Sequence, residues 1–157
     1  LDTVFSTALN AAGTYYIQIE DSTFFDGGQY TLTGSLTDGT SGYETETNNS
    51  IQTADSIASG SVTKGQLWWQ TDTDYYKIST SGASTISIDF DAPTNSSYND
   101  YFNVSLLNAS GAILASQDTG KDISFDTGVD SAGDYFVLIQ DSTFLSTDEY
   151  SVSALIA

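Results

Sequence analysis

The sequence contains no cysteine and no histidine, and its only basic residues are three lysines, Lys64, Lys77 and Lys121. Missing cysteine removes disulfides, thiol chemistry and thiolate zinc sites. Missing histidine removes imidazole ligands and every catalytic arrangement that depends on a histidine base. Against the three lysines stand 21 acidic residues, a formal net charge of −18. Such a polyanion is repelled by nucleic acid and by anionic membrane surfaces, and no apolar run approaches the length of a membrane span. Neither nucleic acid nor membrane insertion is expected. Like charge at this density also opposes compaction unless cations screen it, and carboxylates and amides are hard oxygen ligands, which makes calcium the expected cofactor.

Proline occurs once, whereas Gly, Ser, Thr, Asp and Asn are plentiful and the apolar residues are mostly Val, Ile, Tyr and Phe in short runs. Those residues suit a pleated, half-buried surface. Alternation is clean in Thr85-Ile86-Ser87-Ile88-Asp89-Phe90 and in Phe102-Asn103-Val104-Ser105-Leu106, so each strand has one buried face and one wet face. Strands are expected at 60–62, 66–69, 75–79, 85–89, 101–108, 113–116, 122–125, 134–140 and 150–155, with a helical turn only over 49–58. Many short strands separated by polar turns predict an all-β fold, an antiparallel β-sandwich with a jelly-roll-like character.

Residues 1–33 lie over 121–153 at a constant offset of 120 residues without a gap. Ala12-Gly13-Thr14-Tyr15-Tyr16-Ile17-Gln18-Ile19 matches Ala132-Gly133-Asp134-Tyr135-Phe136-Val137-Leu138-Ile139. Asp21-Ser22-Thr23-Phe24 repeats identically as Asp141-Ser142-Thr143-Phe144, and Tyr30 falls on Tyr150. The expected organisation is the C-terminal part of a preceding repeat over 1–37, a linker over 38–42 and a complete sandwich over 43–157. The chain opens mid-pattern at Leu1-Asp2-Thr3 and reads as an excised piece. An orphan set of two or three strands is marginal alone, so residues 1–37 are expected to pack on the second copy or to complete a sandwich elsewhere in the parent protein.

The densest set of oxygen ligands is Glu44-Thr45-Glu46-Thr47-Asn48-Asn49 at the entrance to the second copy. Alternate residues of an extended segment point the same way, so Glu44, Glu46 and Asn48 can converge on one ion. Thr71-Asp72-Thr73-Asp74 precedes the Tyr75-Tyr76 strand, and a fold-back of the linker would bring the two clusters together. A solvated acidic linker and an ordinary turn satisfy the composition equally well. Asp21 and Asp141 read as turn residues that bond their own backbone two residues on. Asp89, Asp91, Asn99 and Asp100 offer a weaker second acidic cluster around Pro93. The adjacent Trp68 and Trp69 face opposite ways in a strand, so one is exposed and can stack on a sugar or a peptide, or both serve packing. Paired carboxylates such as Asp72 and Asp74 can in principle do acid and base work, but no other feature supports an enzyme.

The succession Glu-x-Glu-x-Asn-Asn, Thr53-Ala54, Gly65-Gln66-Leu67, Asp72-Thr73-Asp74-Tyr75-Tyr76-Lys77-Ile78 and Ala132-Gly133-Asp134-Tyr135-Phe136-Val137 resembles the bacterial pre-peptidase C-terminal domain over residues 43–157. The resemblance implies a β-sandwich appended to a secreted protein and calcium ligands at Glu44, Glu46, Asn48, Asn49 and Asp74. Thr71 stands where such domains carry a partner aspartate, so Asp72 is implied as its substitute. The reading that follows is a non-catalytic, calcium-stabilised module of a large bacterial adhesin or exported repeat protein, secreted or at the cell surface, in which the ion stiffens the interdomain linker. Its partners would be neighbouring domains of the same parent chain and an extracellular polysaccharide or protein surface. The alternative is an accessory domain of a secreted peptidase or hydrolase that binds substrate, carbohydrate or collagen-like peptide, with Trp68 and Trp69 as its aromatic contacts.

Overall fold

The computed structural model describes residue 4 and residues 13–20, 27–36 and 42–157. Nine strands follow in order: β1 (Asp55–Ser56), β2 (Val62–Gly65), β3 (Thr73–Thr80), β4 (Ser84–Asp91), β5 (Phe102–Asn108), β6 (Ile113–Thr119), β7 (Ile123–Val129), β8 (Gly133–Asp141) and β9 (Tyr150–Ile156). They form two sheets, β1-β3-β8-β5-β6 and β2-β9-β4-β7. Every pairing is antiparallel except β1 on β3. The expected all-β sandwich is the fold. No helix among the described residues is long and apolar enough to cross a membrane.

Two-residue periodicity builds the interior. In β3, Asp74, Tyr76, Ile78 and Thr80 turn inward while Thr73, Tyr75, Lys77 and Ser79 turn out. Ile86, Ile88 and Phe90 of β4 and Tyr150, Val152 and Ala154 of β9 face them from the second sheet. Phe90, Phe102 and Tyr150 meet in an aromatic knot with ring centroids 5.1 to 5.9 Å apart, a geometry that adds to their burial. A smaller cluster, Leu107, Phe136 and Leu138, lies on the opposite face of the first sheet and is covered by Ile51, Ala54 and Tyr75.

Two sequence expectations need correction. Residues 66–69 are not a strand but the connection from β2 to β3. Their amides leave the ladder for carboxylates: Gln66 N–H donates to Glu44 Oε1 at 2.7 Å and Trp68 N–H to Asp72 Oδ2 at 2.7 Å. The stretch 49–58 is not helical either. A turn closed by Thr53 N–H on Ser50 O delivers the chain to β1, and Ile57 N–H continues the parallel pairing on Lys77 O. Residues 13–20 and 27–36 belong to no strand and are exposed throughout.

Candidate metal centre

One segment joins the edges of both sheets. Glu44 N–H donates to Lys64 O and Lys64 N–H to Gly42 O, each at 2.8 Å, which fixes the entry of the chain against β2. Four residues on, Asn48 O accepts from Tyr75 N–H at 3.1 Å, which fixes it against β3. Thr45 N–H is held by Asp55 Oδ2 at 2.6 Å. Residues 42–49 therefore cross from the edge of the second sheet to the edge of the first, and the acidic linker folds back over the Asp72-Thr73-Asp74 turn as its spacing allows.

This crossing brings Glu44, Glu46 and Asp74 together, with one carboxylate oxygen from each lying within 4.8 Å of the others. Glu44 is tied on both oxygens: Oε1 to the Gln66 amide, and Oε2 to the Tyr76 hydroxyl at 2.6 Å and Asn48 Nδ2 at 3.3 Å. Asp74 Oδ2 accepts from the Tyr150 hydroxyl, and the Tyr76 and Tyr150 hydroxyls are 2.7 Å apart. Glu44, Asn48, Asp72 and Asp74 are all buried. Asp72 is occupied differently, since Oδ2 takes the Trp68 amide and Oδ1 takes Asn49 Nδ2 and Thr73 N–H, both at 3.2 Å. It closes the loop and aims Asn49, while the three converging carboxylates are those of Glu44, Glu46 and Asp74.

No lysine enters the group. Lys64, whose backbone anchors Glu44, sends its ammonium to Glu149 at 2.8 Å and lies over the Tyr43 ring. Two carboxylates within 4.8 Å of each other, if both ionised, repel by about 3 kcal/mol or more at an effective dielectric near 20, a large term beside a domain stability of about 5–15 kcal/mol. Burial, with the Glu44 charge next, pushes Asp74 up to about 10. Burial and then the charges of Glu44 and Asp72 push Glu46 up to about 7. Glu44 is raised too, by burial, against the pull of Tyr76, Gln66 and Asn48. Tyr76 and Tyr150 are held well above the usual phenol range by burial and by these carboxylates, so both act as donors.

Asn48 Oδ1, Asn49 Oδ1 and Asp74 Oδ1 are among the buried oxygens here that have no hydrogen-bond donor. Orphaned buried acceptors are rare and costly. Asp74 belongs to the carboxylate trio, Asn48 bonds to Glu44 and Asn49 to Asp72; the atoms on offer are all oxygens, and calcium takes six to eight oxygens at about 2.3–2.6 Å. Oxygens on opposite sides of such an ion stand about 4.6–5.2 Å apart, so the separations already suit it. Glu44, Glu46 and Asp74 form a carboxylate group able to hold a metal ion.

In the sequence Tyr76 and Gly65 figured only within the motifs of the family resemblance, and Tyr150 only as the counterpart of Tyr30. Both hydroxyls lie where a Cβ at Gly65 would stand, so glycine admits them. A glycine closing β2 directly before the Gln66 that meets Glu44 was the available signal. Trp68 is half-buried and Trp69 is 53% exposed, on the loop that Asp72 closes. Asp141 does not cap its own turn as expected, because Asp100 O and Tyr101 O take the amides of residues 142–144. Asp21 lies outside the described residues. In the weaker cluster, Asp91 accepts from Ser151 Oγ at 3.0 Å, while the Pro93 loop is organised by Asp122, which accepts from Ala92 N–H and Asn95 Nδ2.

No protein-family model and no curated protein sequence matches the chain. Among solved structures it is similar to the pre-peptidase C-terminal domain of a collagenase from Bacillus anthracis, with 21% identity and a TM-score of 0.52 over 64% of this chain and 93% of that one. It is also similar to a periplasmic inhibitor of g-type lysozyme from Aeromonas hydrophila, with 12% identity and a TM-score of 0.51 over 66% of this chain and 96% of that one. At these identities the likeness is one of fold, and the fold is the sandwich that the sequence resemblance implied.

Proposed function

We propose that the chain is a non-catalytic β-sandwich module whose entry segment is fastened by calcium, and that it serves as a spacer in an exported repeat protein or adhesin. The observation that carries this reading is the convergence of Glu44, Glu46 and Asp74 with no lysine to balance them, and the donorless oxygens of Asp74, Asn48 and Asn49 add to it. An ion there ties the linker to β2 and β3 at once, so that the angle at which a preceding domain enters becomes fixed. Binding confined to the folded form raises stability by mass action, by about 2.7 kcal/mol at a hundredfold excess over Kd.

The test is a thermal melt in chelator and in a calcium series, for the parent chain and for Glu46→Gln. The parent is expected to gain melting temperature with calcium. Glu46→Gln removes a carboxyl whose ionised form is disfavoured by burial and by the charges of Glu44 and Asp72, so it should match or exceed the parent in chelator and lose the calcium response. A parent chain indifferent to calcium would overturn the reading.

A second reading, an accessory domain that holds a polysaccharide or collagen-like peptide for a secreted hydrolase, is favoured by the exposure of Trp69 beside the half-buried Trp68. It predicts saturable binding to one such polymer that Trp69→Ala abolishes without changing the melting temperature.

A further inference from the structure

The register of the internal repeat has a structural meaning that residues 43–157 supply. Residues 13–20 lie over 133–140 of β8, and residues 30–36 over 150–156 of β9. Neither is an edge strand: β8 runs between β3 and β5 in the first sheet, and β9 between β2 and β4 in the second. The front segment thus carries the sequence of one inner strand for each sheet of a sandwich.

The side chains agree with this register. Phe136, Val137, Ile139, Tyr150 and Val152 are all buried in the second copy. Their counterparts are large and apolar as well, yet Tyr16 is 89% exposed, Tyr30 68%, Ile17 57%, Leu32 53% and Ile19 50%. Exposed apolar residues in such a run, at the two-residue spacing of inner strands, mark a surface that is covered in the working protein. The edges of residues 43–157 do not provide that cover, because an inner strand needs a neighbour on each side.

We infer that residues 13–20 and 30–36 are the two closing inner strands of a second sandwich, and that their partner is a strand-deficient copy of this same repeat, equivalent to residues 43–120. Gly13–Glu20 would insert between the counterparts of β3 and β5, and Tyr30–Leu36 between the counterparts of β2 and β4. Tyr30 would stand as Tyr150 does, with its ring in the core. The inference rests on repeat register and burial and is independent of the cation.

The test appends residues 43–120 directly before Leu1 of the full chain, which restores the 120-residue register, and follows amide hydrogen exchange with and without calcium. In the unextended chain, amides of 13–20 and 30–36 are expected to exchange as exposed amides do. In the extended chain they should slow by about a thousandfold or more, as inner strands do. Ile17→Asp with Leu32→Asp should remove that protection while residues 43–157 stay protected. Front amides that still exchange freely in an extended chain whose residues 43–157 are protected would overturn the inference. So would protection that survives the double substitution.

Discussion

Tyr150, on an inner strand of the second sheet, donates its hydroxyl to Asp74 on β3 of the first sheet, and so joins the two layers at the carboxylate group. The bond pairs a phenol with a carboxylate that burial disfavours as an anion. It also meets the Tyr76 hydroxyl, so Glu44, Tyr76, Tyr150 and Asp74 form one connected network.

Tyr150→Phe keeps the ring that packs on Phe90 and Phe102 and removes only the donor. Loss of the hydroxyl leaves Asp74 without its one donor, at a cost of about 1–3 kcal/mol. Urea unfolding in chelator should show a lower midpoint with an unchanged slope, and saturating calcium should narrow the gap by engaging Asp74 directly.

Stability in chelator should fall as pH rises. The folded-state pKa of Glu46 is raised from the ordinary 4.5 to about 7, so the folded form holds its proton more tightly than the unfolded chain does. Its contribution is full below about pH 4.5 and is lost as pH climbs through 7; Asp74 extends the decline toward 10. Denaturation midpoints at pH 5 and pH 8 in chelator give the check, with the higher value expected at pH 5. Calcium requires the deprotonated carboxylates, so its binding near neutral pH should release protons, measurable by calorimetry in buffers of different ionisation enthalpy.

Gly65→Ala places a Cβ on both tyrosine hydroxyls. Neither ring can retreat easily, since both are fully buried. A loss of about 1–3 kcal/mol is expected, together with weaker calcium binding as the network is pushed apart. Gly82→Ala and Gly128→Ala meet nothing within 4 Å and should stay within about 0.5 kcal/mol.

Asp72 links the centre to the tryptophan loop, because one carboxylate holds both Asn49 Nδ2 and the Trp68 amide. Tryptophan emission is therefore expected to shift when calcium binds. Asp72→Ala should abolish the shift while leaving a weakened calcium-dependent melt; an unchanged shift would sever the proposed link between loop and ion.

Much of the sandwich was legible because its signals are local. Alternation in 85–90 and 102–106 fixes which side chains enter the core, and it does so whatever the neighbouring strand. The approach of Glu44 to Glu46 was legible for a similar reason, since extended backbone points alternate residues one way. What alternation cannot convey is where an amide goes when a carboxylate competes with the sheet. Residues 66–69 look like a strand, yet Glu44 and Asp72 draw the Gln66 and Trp68 amides out of the ladder. Tyr150 was equally opaque, because its role depends on β9 crossing over β3, a contact between residues 76 positions apart.

The crossing of residues 42–49 also bears on how the molecule avoids its own kind. β2 is an outer strand of its sheet and the early part of β3 lacks the cover that β1 gives Tyr76 and Lys77. Open edges of this sort recruit strands from other chains. Gly42 and Glu44 occupy the free side of Lys64, and Asn48 occupies the amide of Tyr75, so the segment that brings the carboxylates together also guards both edges. If an ion fastens this segment as proposed, its removal would cost more than rigidity: two sticky borders would be laid open, and self-association in chelator is the expected first sign.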